Sequence, residues 1–166
     1  MERLWSPWRN EYVTTAGSSG DGCIFCDHLA EGDDEKTHIL WRGEHVFVLL
    51  NAYPYNTGHV MIAPLRHVGE LNDLSAEERA ELMETTNRTV AIIKEAMNAD
   101  GFNVGINLGS AGGAGIPDHL HIHVVPRWGG DTNFMTTVGD TKVLPEMLAD
   151  TDSKLRPSFR DSGSPN

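Results

Sequence analysis

The stretch His119-Leu120-His121-Ile122-His123-Val124-Val125-Pro126 constrains this chain more than any other. Alternation of polar and apolar residues is the period-two signature of a strand with one buried face. Leu120, Ile122 and Val124 are therefore expected to enter a core while His119, His121 and His123 line the opposite side. A lone histidine is usually structural, and His28, His38 and His45 are read that way. Three on one face demand another explanation. Neighbouring imidazoles repel one another when protonated, so some of these rings stay neutral near pH 7, available as nucleophile, base or metal ligand.

The rest of the sequence supplies a sheet for that strand. Residues 38–42 and 45–50 read as two strands around a tight turn at Gly43, and 58–63 as a third beyond the turn-rich Asn51-Ala52-Tyr53-Pro54-Tyr55-Asn56. Ser75 with Glu78 forms a capping box, and Leu82, Met83, Val90, Ile93 and Met97 recur at helical spacing, predicting a helix over 76–97. Residues 102–108 and 119–125 supply two further strands, and 143–149 suggests a short C-terminal helix. The expected class is α+β: one antiparallel sheet of about five strands, one long helix and a short second one. Polar residues from 152 to 166 read as a frayed tail. Residues 1–22 read as an arm and loop, with Trp5, Trp8 and Tyr12 covering either the core or a partner subunit.

Length and composition narrow the function. A chain of 166 residues suits a single domain with one core around 23–149. Its longest apolar run, at residues 46–50, is too short to span a bilayer, and the N-terminus has no secretory pattern, so a cytoplasmic location is expected and a membrane is not. A formal net charge of -11 argues against nucleic acid as a partner, because phosphate-backbone binding draws on clustered Lys and Arg. A small anionic substrate remains compatible, since a pocket of histidines and backbone N–H groups can be locally favourable in an acidic protein.

From the residues alone, the histidine face is either a metal site or a nucleophilic site. The loop from Gly109 to Gly115 is rich in glycine and alanine. It can bring backbone N–H groups to a phosphate, or it can simply turn tightly between strands. Cys23 and Cys26, spaced C-x-x-C, read as a metal site, a redox pair or two buried thiols. The redox reading lacks the βαβ context such motifs occupy. Tyr53 and Tyr55 either flank a base or belong to an ordinary turn. Arg127 and Trp128 either contact substrate or brace the C-terminal segment.

The His119–Pro126 stretch resembles the signature of the histidine-triad family. Asn51, the segments Gly58-His59-Val60 and Pro64-Leu65-Arg66-His67, and Gly101-Phe102-Asn103-Val104-Gly105-Ile106-Asn107 extend the likeness over roughly 23–149. Asn51-Ala52-Tyr53-Pro54-Tyr55-Asn56 and Pro126-Arg127-Trp128-Gly129-Gly130-Asp131-Thr132-Asn133-Phe134 resemble the branch of bacterial diadenosine tetraphosphate phosphorylases and related hydrolases.

The resemblance implies an enzyme in which His121 attacks the α-phosphorus of a dinucleoside polyphosphate and forms a nucleotidyl-imidazole, which a second acceptor then releases. It makes His123 and His59 the donors and gives Asn51 the ribose. Asn107 and the backbone of Gly113, Ala114 and Gly115 would take phosphate oxygens. No metal enters the chemical step and no organic cofactor is implied. Zinc, where present, is structural, held by Cys23, Cys26, His67 and His119. In that case His119 is a ligand; without zinc it orients His121. Homodimers are expected from the same likeness. The family's hydrolases often carry a Gln four residues before the first triad histidine, and this chain has Ala114-Gly115-Ile116 there, which leaves water and phosphate both open as acceptors. A rival reading keeps the fold as a nucleotide-binding signalling or interaction protein with little turnover.

Overall fold

The computed structural model describes residues 22–132, 144 and 146–161. Local sequence signals are obeyed most closely in the long helix α2, Ala76–Met97. The Ser75 hydroxyl accepts from the Glu78 N–H while the Glu78 carboxylate accepts from the Ser75 N–H, so both halves of the capping box are present. Asn98, in the left-handed region at φ 51, ends the helix. Its buried stripe runs through Leu82, Thr85, Thr86, Thr89 and Ile93. Met83, which the spacing assigns to the apolar set, is 64% exposed.

Five strands form one antiparallel sheet, ordered β1-β2-β3-β5-β4: β1 Ile39–Arg42, β2 Val46–Leu50, β3 Val60–Pro64, β4 Gly101–Ile106 and β5 Ile122–Arg127. The α+β class and the strand count match expectation. Side chains alternate as a pleated sheet requires. Val46, Val48, Leu50, Val60, Ile62, Ile122 and Val124 join one hydrophobic cluster with Leu82, Ile93, Leu155 and Phe159 of the helices. Phe47, Leu49 and Ala63 point the other way, into a second cluster with Phe25.

Two boundaries differ from the sequence reading, and both matter for the site. The expected strand 119–125 begins only at Ile122, because β3 pairs with β5 over Ile62↔Ile122 to Val60↔Val124 and no further. Upstream the chain stays extended by another bond, from the Leu120 N–H to the Val68 carbonyl at 2.7 Å. The alternation therefore persists, with Leu120 in the larger core cluster beside Ile122 and Val124. Secondly, residues 23–31, read only as a cysteine motif, include the helix α1, Ile24–Glu31, which Gly32 terminates at φ 71. Phe25 and Leu29, one turn apart, bring it onto the second face of the sheet.

The C-terminal helix is longer and later than expected. The start assigned to it, Val143, lies outside the described residues, as do Trp5, Trp8 and Tyr12. Helix α3 runs Leu148–Asp161 and takes up most of the stretch read as a frayed tail. Leu155 and Phe159 are fully buried against the sheet. Arg156 pairs with Asp152 through two bonds of 2.6 Å and donates to the carbonyls of Ile39 and Asp34, while His38 Nδ1 meets the same carboxylate at 2.7 Å. Polar composition hid a helix whose inward face joins Leu155 and Phe159 to a satisfied ion-pair network.

Candidate active site and metal centre

The turn between β2 and β3 fixes His59. Asn51 opens it: its Oδ1 accepts from the Tyr53 N–H at 2.9 Å and its Nδ2 lies 3.3 Å from His59 Nδ1. Gly58 closes it at φ 76, where an added Cβ would fall 2.7 Å from the Met97 sulfur and 3.1 Å from Pro126 Cγ. Only glycine meets both demands.

One backbone amide then sets the protonation of two rings. The Tyr55 N–H can only donate, and it points at His59 Nδ1 at 3.1 Å, so that nitrogen is an acceptor. Burial, reinforced by His123 and His121 nearby, pushes the His59 pKa down to about 3 and keeps the ring neutral. Its proton therefore sits on Nε2 and is donated to His123 Nδ1 at 3.0 Å. His123, accepting there, carries its own proton on Nε2. Tyr55 covers the pair, its ring 4.6 Å from that of His59 and stacked at 5.6 Å on that of His123.

His121 is set the opposite way round. Its Nδ1 lies 2.8 Å from the His119 carbonyl, which can only accept, so Nδ1 holds the proton and Nε2 holds the lone pair. Burial lowers its pKa, partly offset by that hydrogen bond, which keeps the lone pair on Nε2 near neutral pH. His121 and His123 meet edge to face at 4.8 Å. A neutral nucleophilic nitrogen beside an N–H donor is an arrangement able to attack phosphorus while neutralising charge on its oxygens.

His119 faces a different task. Its Nε2 donates to the Pro64 carbonyl at 2.8 Å, which leaves the Nδ1 lone pair directed at Cys23 Sγ, 3.2 Å away, and Cys26 Sγ, 3.7 Å away. His67 Nδ1 stands 3.4 Å from Cys26 Sγ. The four ligand atoms of Cys23, Cys26, His67 and His119 lie within 4.8 Å of one another, and this cluster could hold a metal ion. Two thiols and two imidazoles at these separations suit a tetrahedral ion, and the Pro64 carbonyl fixes the His119 tautomer as an outer ligand-orienting partner does.

Asn107 follows β4 directly, and the register Ile106↔Ile122 sets it alongside His121. Its Nδ2 donates to the Gly113 carbonyl at 3.4 Å. The loop that follows turns tightly on its own backbone. The N–H groups of Gly112, Gly113 and Ala114 donate to the carbonyls of Gly109, Ser110 and Gly109. The N–H groups of Gly113 and Ala114 are thus used within the loop. Arg127 pairs with Asp131 and Asn103, and the Trp128 indole N–H donates to the Met97 and Asn98 carbonyls, so both brace the segment after β5. Sequence reasoning missed Phe25 altogether. Its ring lies 5.0 Å from His119 and 5.1 Å from His121, and its only signal was an apolar residue between two cysteines.

A five-stranded sheet presenting three alternating histidines, with a fourth at the head of β3, defines a histidine-triad protein. The chain belongs to the HIT domain family, whose model matches residues 33–130. It is 44% identical over 157 residues to an AP-4-A phosphorylase of Mycobacterium tuberculosis, covering 91% of this chain and 80% of that one. It is also 34% identical to a bis(5'-adenosyl)-triphosphatase of Dictyostelium discoideum, over 55% of this chain and 61% of the other. Among solved structures, a zinc-bound histidine triad family protein from Mycobacterium smegmatis superposes with a TM-score of 0.69 at 24% identity, over 89% and 96% of the two chains, and shares the fold. No described helix is long and apolar enough to cross a membrane.

Proposed function

We propose that this chain cleaves a dinucleoside polyphosphate such as diadenosine tetraphosphate at an α-phosphate, using His121 as the nucleophile and inorganic phosphate as the second acceptor. The observation that carries the reading is the bond from His121 Nδ1 to the His119 carbonyl, which leaves Nε2 as the attacking atom. Support for phosphate over water comes from the name borne by the relative at 44% identity.

In the first step the P–N bond forms at His121 Nε2 as the bridging P–O bond breaks, and its electron pair leaves with the nucleoside triphosphate. The imidazole keeps its Nδ1 proton, and the positive charge it gains is met by the His119 carbonyl. His123, with His59 behind it, donates its Nε2 proton toward the phosphoryl oxygens. A phosphate oxygen then attacks the same phosphorus, the P–N bond breaks, and a nucleoside diphosphate departs. Asn107 and the Gly115 amide take phosphate oxygens. Asn51 takes the ribose with the second Oδ1 lone pair and second amide proton that its turn leaves over.

Zinc is the ion we assign to Cys23, Cys26, His67 and His119, on the strength of a Cys₂His₂ set with a fixed second shell. Zinc held there would tie α1 to the sheet and would take no part in bond making. We further assign a homodimer: among the described residues β4 is hydrogen-bonded on one side only, by β5, and Val104 is 49% exposed along it. A cytoplasmic location accords with two thiols retained as ligands.

The deciding experiment incubates the purified chain with diadenosine tetraphosphate, with and without phosphate. ADP together with ATP, formed only when phosphate is present and lost in His121→Ala, is the expected result. AMP formed without phosphate would make water the acceptor. Binding with no His121-dependent release would replace the enzyme with a nucleotide-binding module.

A further inference from the structure

Phe25 sits in α1 between two residues of the metal cluster, Cys23 and Cys26, one before and one after it. It is 1% exposed, so substrate does not reach it, yet its ring lies on two imidazoles at once, 5.0 Å from His119 and 5.1 Å from His121. Behind it, Phe47 of β2 packs edge-on at 6.2 Å. The His121 ring thus meets Phe25 as well as His123, and Phe25 lies in the chain between two residues of the candidate metal cluster.

We infer that Phe25 is a positioning residue for His121, and that it is the side chain through which the metal centre acts on the nucleophile. The inference rests on the proposed function for what His121 does, but its geometry stands apart from substrate. The cluster reaches His121 by two routes. One is the His119 carbonyl, a backbone atom. The other is the Phe25 ring, which α1 presses onto the imidazole. The His119 backbone is also held by the sheet side, through Leu120 N–H to Val68 and His119 Nε2 to Pro64. Helix α1 is held to the sheet by the apolar packing of Phe25 and Leu29 and not by bonds of that kind. Its N-cap residue, Cys23, makes no side-chain capping bond, and Phe25 is its one fully buried residue. Without metal the His119 route persists while α1 loses its tie, so the contact that yields first is the one from Phe25 to His121.

Loss of that contact frees the His121 ring to turn about its Cβ–Cγ bond, which weakens the alignment of Nε2 without removing any polar group. Alignment of a nucleophile affects the bond-forming step more than ground-state binding, so kcat should fall and KM should hold.

The test compares full-length wild type and Phe25→Leu, each loaded with one equivalent of zinc and each after chelation. Three readouts are taken: zinc content, the imidazole NMR signals of His121, and kcat and KM with diadenosine tetraphosphate and phosphate. Zinc-loaded Phe25→Leu is expected to keep its metal but to show an exchange-broadened His121 Nδ1–H signal. Its kcat should be about tenfold lower at unchanged KM, the scale typical of outer-shell partners. Chelated wild type should show the same signal and the same kcat, and chelating Phe25→Leu should add nothing further, because both perturbations remove one contact. A sharp, unshifted His121 signal in zinc-loaded Phe25→Leu would overturn the inference. So would losses that multiply, or a wild type that takes up no zinc. If Phe25→Leu does not fold, Phe25→Met carries the same expectation, since its flexible side chain adapts to the gap and removes the flat ring. The NMR readout needs no substrate, so a chain without phosphorolytic turnover would count against the proposed function and leave this inference to be decided by the spectra.

Discussion

The peptide carbonyl of His119 accepts the Nδ1 proton of His121 at 2.8 Å, while the His119 side chain turns away toward two cysteine sulfurs. One residue thus serves the proposed nucleophile with its backbone and the candidate metal cluster with its ring. The two services can be separated by mutation.

His119→Cys keeps the carbonyl and offers the cluster another ligand. It is expected to retain zinc and to keep kcat within about tenfold of wild type. His121→Ala should lower kcat on the order of a million-fold, the scale seen when a nucleophile is deleted. Steady-state phosphorolysis with zinc determination checks both. Equal collapse of the two variants would show that the His119 ring itself is needed in the reaction.

Acid should destabilise the fold through His59. Its pKa is about 3 in the native state, pushed down chiefly by burial, against about 6.5 in an unfolded chain. Below the unfolded value the unfolded state takes up a proton that the native state refuses. Stability is therefore complete above about pH 6.5 and falls as pH drops toward 3, with a slope of up to about 1.4 kcal/mol per pH unit from this one group. Urea denaturation of wild type and His59→Gln across that range should give a shallower dependence for the variant. Parallel curves would mean that the ring is protonated in the native state.

Removing the exposed ligand separates tie from chemistry. His67→Ala should release zinc, detectable with a chromophoric chelator, and lower the thermal midpoint. Its turnover should fall no further than that of chelated wild type, because His67 meets Cys26 and the His119 ring, on the side of the candidate metal cluster. A variant far less active than the chelated protein would give His67 a part in the reaction.

Helix α3 should prove a structural element of the first rank. Phe159→Ala, at a fully buried site, is expected to cost about 3–5 kcal/mol, whereas Met83→Ala on the exposed side of α2 should stay within about 0.5 kcal/mol. Chemical denaturation of the two variants tests the contrast. Similar small losses would mean that α3 packs loosely.

What could be read from the chain depended on whether the cause was local. The capping box at Ser75 and Glu78 and the alternation through His119, His121 and His123 act over a few residues, and both were legible. The four members of the metal cluster could be named only through the family likeness, because 96 positions separate Cys23 from His119. Helix α3 hid behind polar composition and an internal Pro157: its inward face closes over Asp152, Arg156 and His38, a network visible only once β1 is in place. Protonation was illegible too. The tautomers of His59 and His123 follow from a single Tyr55 amide, and no side-chain pattern encodes where a backbone N–H will point.

The loop from Gly109 to Ala114 closes on itself through three backbone bonds and the Asn107 amide before any ligand arrives. Fixing a residue's backbone costs roughly 1–2 kcal/mol, and here that ordering is completed at folding and not at binding. A ligand bound at this loop would therefore meet a rim that is already set. Recognition should be fast and shape-selective, with discrimination exercised in how long a nucleotide stays more than in how readily it enters.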